Sequence, residues 1–257
     1  KHPFRLNRIR DVFLYYNISI SQPDMKHWLL CLLLVLPFVE ANAQAETDTL
    51  PIVIDSLYRE DQIYLGLSFH LLGDLPEDVS QSGFSGGLHL GFIRDMPVND
   101  KRTKAIGLGL GWSINSYGQE LFIGEDPSHE TIFRNLNDPD IEYNSNRFST
   151  QLVEVPLEFR WRTSTPESYK FWRIYTGFRF GYIYYFRSNF QQPGNQVIQT
   201  DVPELERLRL GTTFTFGYNT FNFHVYYSLN PYFKNAELNG EEFGMTTFKL
   251  GLMFYIL

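Results

Sequence analysis

Two neighbouring segments of this chain, each longer than a usual globular strand, divide their side chains by parity into an apolar face and a charged face. Leu152 to Arg162 sets Val153, Val155, Leu157, Phe159 and Trp161 against Glu154, Glu158, Arg160 and Arg162. After the polar stretch Thr163 to Lys170, the division repeats. Trp172, Ile174, Phe178, Phe180 and Tyr182 oppose Arg173, Gly177, Arg179 and Gly181. Period two specifies a β-strand with unlike faces. A strand in a soluble sandwich shows the same alternation, apolar inside and charged outside. Such strands run about 5–6 residues. Crossing an outer membrane takes about 9–11 tilted residues, apolar toward lipid and polar toward the lumen. The length favours the second arrangement, and the rest of the chain decides.

Six more segments alternate in the same way. Ile63 to His70, Phe84 to Phe92 and Ala105 to Ile114 precede the pair; Arg207 to Phe216, Phe221 to Leu229 and Thr247 to Ile256 follow it. Eight is an even number, and the connections differ by turn. Those at 73–82, 118–147, 188–203 and 230–242 are the longer ones. Those at 95–103, 163–170 and 219–220 are short. Long loops at one end and short turns at the other are the layout of a bacterial barrel. In lipid an open sheet edge has no water to bind, so the sheet closes. The predicted fold is all-β: an eight-stranded closed antiparallel transmembrane β-barrel over 62–257, with its first and last strands paired.

The segment before it reads differently. Met25-Lys26-His27, an apolar run from Trp28 to Val39 and Ala41-Asn42-Ala43 make a secretory signal peptide over 25–43. Residues 1–24 read as upstream read-through, and 44–61 as a periplasmic tail. The single cysteine, Cys31, falls inside the signal. A disulfide, a thiolate metal site and a cysteine nucleophile are therefore excluded from the mature chain. Removing residues 1–43 takes away 5 of 22 Lys and Arg and 3 of 29 Asp and Glu, leaving a formal charge of −9. That acidity argues against a nucleic-acid partner. Export to the outer membrane, with its lipid as one partner, is the expected location.

The inward charges are the candidate site. Glu154, Glu158, Arg160, Arg162, Arg173, Arg179, Arg207 and Arg209 share lumen parity, joined by Lys249. Eight strands enclose a space that side chains just fill, and buried charges persist only when paired. A network that plugs and stiffens the barrel is the first reading; a gated path or a docking site at the periplasmic mouth are the others. If Arg162 and Phe171 close the turn, Glu154 faces Arg179, Glu158 faces Tyr175 and Arg160 faces Arg173. Lys101, Arg102, Lys104 and Lys170 give the short turns a basic rim, suited to an acidic or polar partner. In the loop 118–147, Asp138, Asp140 and Glu142 alternate. They could ligate calcium through hard oxygens, but no EF-hand glycine follows, and a solvated acidic loop is the preferred reading. Ser128-His129-Glu130 are adjacent, whereas a triad is assembled in space; no enzyme and no cofactor is expected. Trp161 and Trp172 suit a periplasmic aromatic girdle, and Tyr184 and Phe186 an outer one.

The run Leu152-Val153-Glu154-Val155-Pro156-Leu157 resembles a signature of small outer-membrane barrels of Bacteroidota. The longer stretch Glu154-Val155-Pro156-Leu157-Glu158-Phe159-Arg160-Trp161-Arg162-Thr163-Ser164, with Tyr169-Lys170-Phe171-Trp172-Arg173, is similar to the PorT family. That resemblance implies an outer-membrane component required for type IX protein secretion, and with it gliding, acting through contacts with other type IX components. It carries no catalytic residues. The residues alone leave open a general barrel of the membrane-anchor or small-porin type.

Overall fold

The computed structural model describes residues 61–138, 141–163 and 171–256. The expected signal peptide, read-through and nearly all of the tail fall outside them, as do Asp140 and the turn residues 164–170.

Eight long strands form one closed ring. They are β1 (Gln62–Gly73), β2 (Gly86–Pro97), β3 (Lys104–Gly118), β6 (Ser145–Arg162), β7 (Trp172–Gln192), β9 (Leu208–Tyr218), β10 (Phe221–Ser228) and β13 (Thr246–Ile256). Each pairs antiparallel with the next, and β13 returns to β1 from Ile63↔Ile256 to Gly73↔Thr246. Every barrel strand therefore has two neighbours, which removes the exposed edge that lipid would not tolerate. Among the described residues no helix is long and apolar enough to cross a membrane. Along β1, Ile63, Leu65, Leu67 and Phe69 face out, while Tyr64, Ser68 and His70 are buried. The other strands repeat this division, so the apolar face is the outside of the ring. The exterior belt and the polar interior follow from the same alternation.

The β6–β7 register differs from expectation. Arg162 faces Arg173, Arg160 faces Tyr175, Glu158 faces Gly177 and Glu154 faces Gly181. The shift is two residues. A slip of one would invert every side chain, but a slip of two keeps each on its own face, so face patterning cannot distinguish the two registers. The observed one puts both glutamates opposite glycines, where their side chains have room.

A second departure lies higher on β7. Gln151 pairs with Tyr185 and Leu152 with Ile183, leaving Tyr184 as the extra residue of a bulge. A bulge reverses the parity beyond it. Ile183, Phe186, Ser188 and Phe190 are thus all buried, while Tyr184 and Tyr185 both point out. Phe186 is accordingly 2% exposed and belongs to the interior, not to the outer girdle. Tyr184 does face outward, as do Trp161 and Trp172, the latter stacked on Phe216 with ring centroids 5.3 Å apart.

The long connections are more ordered than their composition suggests. They carry β4 (Leu121–Glu125) with β5 (Thr131–Asn135), β8 (Asn195–Gln199) extending β7, and β11 (Ala236–Leu238) with β12 (Glu241–Phe243). Val79, Leu121, Ile123, Val202, Leu205, Phe233, Ala236 and Leu238 from these connections pack with Tyr117, Phe148, Leu152, Ile183 and Phe186 of the barrel wall. This apolar cap closes the long-loop end. Toward the other end a smaller cluster, Tyr64, Ile93, Tyr175, Met253 and Tyr255, lies within the ring.

Tyr64 lies over the neighbouring strands β2 and β3 only because both lack side chains there. A Cβ on Gly91 or Gly111 would overlap its phenol ring or hydroxyl. Gly111→Val should therefore destabilise the barrel by about 1–3 kcal/mol, the usual cost of overpacking. Adding Tyr64→Ala should recover much of that loss. Urea unfolding in lipid vesicles measures both; an equal loss with and without Tyr64 would contradict the packing.

Candidate functional site: the charged lumen

The lumen charges converge on a residue that sequence reading had assigned to a turn. Asp95 continues the inward parity of β2 through Ser85, His89 and Ile93 and is buried. Its Oδ1 accepts from Arg160 Nη1 at 3.2 Å and its Oδ2 from Arg162 Nη2 at 2.8 Å. All three side chains are fully enclosed. Arg160 and Arg162 lie on β6, two strands away from β2 with β3 between them. The glycines of β3 make this reach possible: Arg160 lies directly over Gly107, where a Cβ would strike its Nε and Cδ. Arg160 Nε also donates to Glu158 Oε2 at 3.1 Å, and Arg162 Nε to the Arg102 carbonyl at 3.1 Å. The Asp95 N–H donates to Asp61 Oδ1 at 2.8 Å, which ties the start of β1 to the same point.

Among the predicted residues, Asp95 thus gathers Glu158, Arg160 and Arg162 into one cluster. Arg179 and Glu154 form a separate pair with Nη1 3.6 Å from Oε2. They meet diagonally, since Pro156 is the residue facing Arg179. Arg173 is buried, its guanidinium carbon 4.3 Å from the centre of the Phe171 ring and 6.0 Å from that of Tyr255. Arg209 lies 3.9 Å over Tyr232 and donates to the carbonyls of Asn230 and Pro231. Arg207 precedes β9, is half-buried and donates to the Ile183 carbonyl at 3.3 Å. Neither Arg207 nor Arg209 is within ion-pair distance of a carboxylate among the described residues; both fasten the cap instead. Lys249 donates to Asn115 Oδ1 at 2.9 Å and lies 4.8 Å over Tyr226.

Aromatic faces support several of these cations. Arg160 sits 4.5 Å over Tyr175, and Arg179 5.5 Å over Tyr64. Cation–π contact strengthens where water is scarce, and it supplies what the short count of inward carboxylates does not. Between the ion pairs, Ser68 Oγ is 2.7 Å from both His70 Nε2 and His89 Nε2. Of these contacts, Arg179 over Tyr64 joins strands on opposite sides of the ring, and the others lie within one strand or link neighbouring strands.

Of the predicted basic rim, Lys101 and Lys104 are exposed and Arg102 is half-buried; Lys170 lies outside the described residues. In the acidic loop, Asp126 Oδ1 accepts from the N–H groups of Ser128 and Glu130 and so closes the β4–β5 turn. Glu125 accepts from Gln199 at 3.1 Å and contacts His129, and these bonds hold its carboxyl below the usual range. Ser128, His129 and Glu130 occupy the tip of that turn. The described residues contain no group of three or more His, Cys, Asp or Glu placed to hold a metal.

Removing Asp95 leaves two guanidinium groups buried without their shared acceptor. Asp95→Ala should cost about 3–5 kcal/mol, as breaking one side of a buried ion pair does. Replacing Asp95, Arg160 and Arg162 together with apolar residues of similar volume should cost less. Chemical unfolding of the refolded variants compares them, and a triple variant weaker than the single one would refute the bridging role.

No curated protein matches this chain. Among solved structures, two crystal structures of Ail, the attachment invasion locus protein of Yersinia pestis, are similar at low level. One has 11% identity and a TM-score of 0.32, covering 76% of this chain and 97% of Ail. The other, a complex with the heparin analogue sucrose octasulfate, has 13% identity and a TM-score of 0.30, covering 77% and 99%. The family model described as outer membrane protein beta-barrel domain matches residues 42–234, three quarters of the chain. With eight strands closed into a ring, an apolar exterior and a polar interior, the chain belongs to this outer-membrane β-barrel family.

Proposed function

We propose that this small outer-membrane barrel serves type IX protein secretion as a PorT-like component, acting through protein contacts and not by conducting solutes. The observation that carries the non-conducting part is the filled bore, where Arg179 of β7 lies 5.5 Å over Tyr64 of β1 on the opposite side of the ring. The Asp95–Arg160–Arg162 bridge packs against the same cluster through Tyr175, and the apolar cap closes the long-loop end. An ion crossing the barrel would have to part both the cluster and the cap. The secretion role is supported by the PorT-like run from Glu154 to Arg173, the stretch in which the inward charges are densest.

With the bore filled by side chains among the described residues, the working surfaces of this reading are the two ends. At the short-turn end, the periplasmic one by the usual layout, Lys101 and Lys104 are exposed. They offer a basic rim to an acidic or polar segment of another type IX component. Charged rims act chiefly through encounter rate and partner choice, so this contact should weaken with salt. The coarser role, a small outer-membrane barrel, does not depend on the identity of that component.

Two measurements test the proposal separately. Cells lacking the protein should retain type IX cargo in the periplasm; normal export would end the secretion role. Purified protein in planar bilayers should give no steady conductance. Open channels would overturn the contact mechanism while leaving the export phenotype to stand.

A further inference from the structure

We propose that the outward face of β6 and β7, just above the Tyr184 bulge, binds the phosphate of an anionic outer-leaflet lipid through Arg147 and Arg187. The site is independent of the secretion reading.

Its level is set by a chain of polar contacts on the outside of the barrel. Trp112 Nε1 donates to Tyr184 Oη at 2.6 Å, and Tyr184 donates to Gln151 Oε1 at 2.7 Å. Below them the outward residues of β6 and β7 are Val153, Val155, Phe180 and Tyr182. Above them they are Ser149, Arg147, Arg187 and Asn189. Tyr and Trp settle at the headgroup level, ring in the apolar layer and polar tip toward water. The Trp112–Tyr184–Gln151 chain therefore marks the edge of the hydrocarbon, and the two arginines stand immediately beyond it.

The bulge is what puts Arg187 there. Arg173 and Arg179, of the same parity, point inward. Past Tyr184 the parity reverses, so Arg187 points out. Ser149 faces Arg187 and Asn189 faces Arg147, which makes the two arginines diagonal neighbours on one face. Such neighbours lie roughly 7–8 Å apart at the backbone, within reach of long side chains. Arg147 is already held: its Nε donates to Ser116 Oγ at 3.0 Å and its Nη2 to the Phe84 carbonyl at 2.8 Å. Arg187 Nε is enclosed and has no hydrogen-bond partner. Neither guanidinium is within ion-pair distance of a carboxylate among the described residues. The bonds to Ser116 and Phe84 carry the Arg147 guanidinium toward β3, while Arg187 stands on β7. The pair thus forms a basic strip along the membrane surface, and a guanidinium fork matches the oxygens of a phosphate. The neighbouring bilayer supplies that group in its headgroups, with the acyl chains lying along the apolar belt below. A phosphorylated glycolipid of the outer leaflet fits both parts.

The test is a thermal-shift titration of the purified barrel in detergent with diphosphorylated lipid A, its dephosphorylated form and inorganic phosphate. The phosphorylated lipid should raise the unfolding temperature; neither of the others should do so at the same concentration. Arg187→Gln breaks no bond within the fold and should weaken apparent binding about five-fold, and the double variant with Arg147→Gln on the order of ten-fold or more, following roughly 1 kcal/mol per surface arginine. Arg94→Gln, exposed near the opposite end of β2, should leave binding unchanged. An undiminished shift in Arg187→Gln, or an equal shift with dephosphorylated lipid, would overturn the site. An equal shift with inorganic phosphate would make it a free-anion site and overturn the lipid assignment.

Discussion

The interior of this barrel depends on one carboxylate. Asp95 accepts from Arg160 and Arg162 at once, with all three side chains out of contact with water. Hydrogen bonding around the ring fixes the sheet, but it says nothing about what fills the middle. Arg160 also pairs with Glu158, yet two buried guanidinium groups on one strand carry more charge than that carboxylate balances. A shared acceptor from another strand lowers the cost of burying them. That acceptor comes from β2, and the backbone of the same residue holds Asp61 at the start of β1. One residue thereby links the first, second and sixth strands of the chain.

Above this level the interior changes character. Polar contacts around Ser68, His70 and His89 occupy the middle, and the apolar cap closes the top. The arrangement is a column of unlike layers, each assembled from more than one strand or connection. A uniform polar lining would favour water, and a uniformly apolar one would resemble the exterior. The layered column supplies neither.

Much of this was legible in the residues. Eight alternating segments and unequal connections specified the barrel, and parity assigned Glu154, Glu158, Arg160, Arg162, Arg173 and Arg179 to its inside. Asp95 was missed because Pro97 and Asn99-Asp100 drew the whole stretch 95–103 into a turn; following the parity from His89 would have found it. The β6–β7 register escaped because a two-residue slip leaves every face unchanged. The bulge had a faint signal in the doublet Tyr184-Tyr185, which interrupts the alternation. Phe186 was misplaced for the same reason. The cap was hidden because its strands are only three to five residues long. Their apolar positions, such as Leu121 and Ile123, acquire a partner only when separate connections meet.

That meeting has a consequence for how the molecule is made. Val79, Leu121, Val202 and Phe233 come from the four long connections, spread over more than half the sequence, and they share one core. No single hairpin carries enough of it to form the cap alone. The cap must therefore assemble after all four connections have reached the same side. Each connection is then a hostage to the other three: an insertion that a free surface loop would absorb must here respect a shared centre, and the outer face of the molecule changes as one piece.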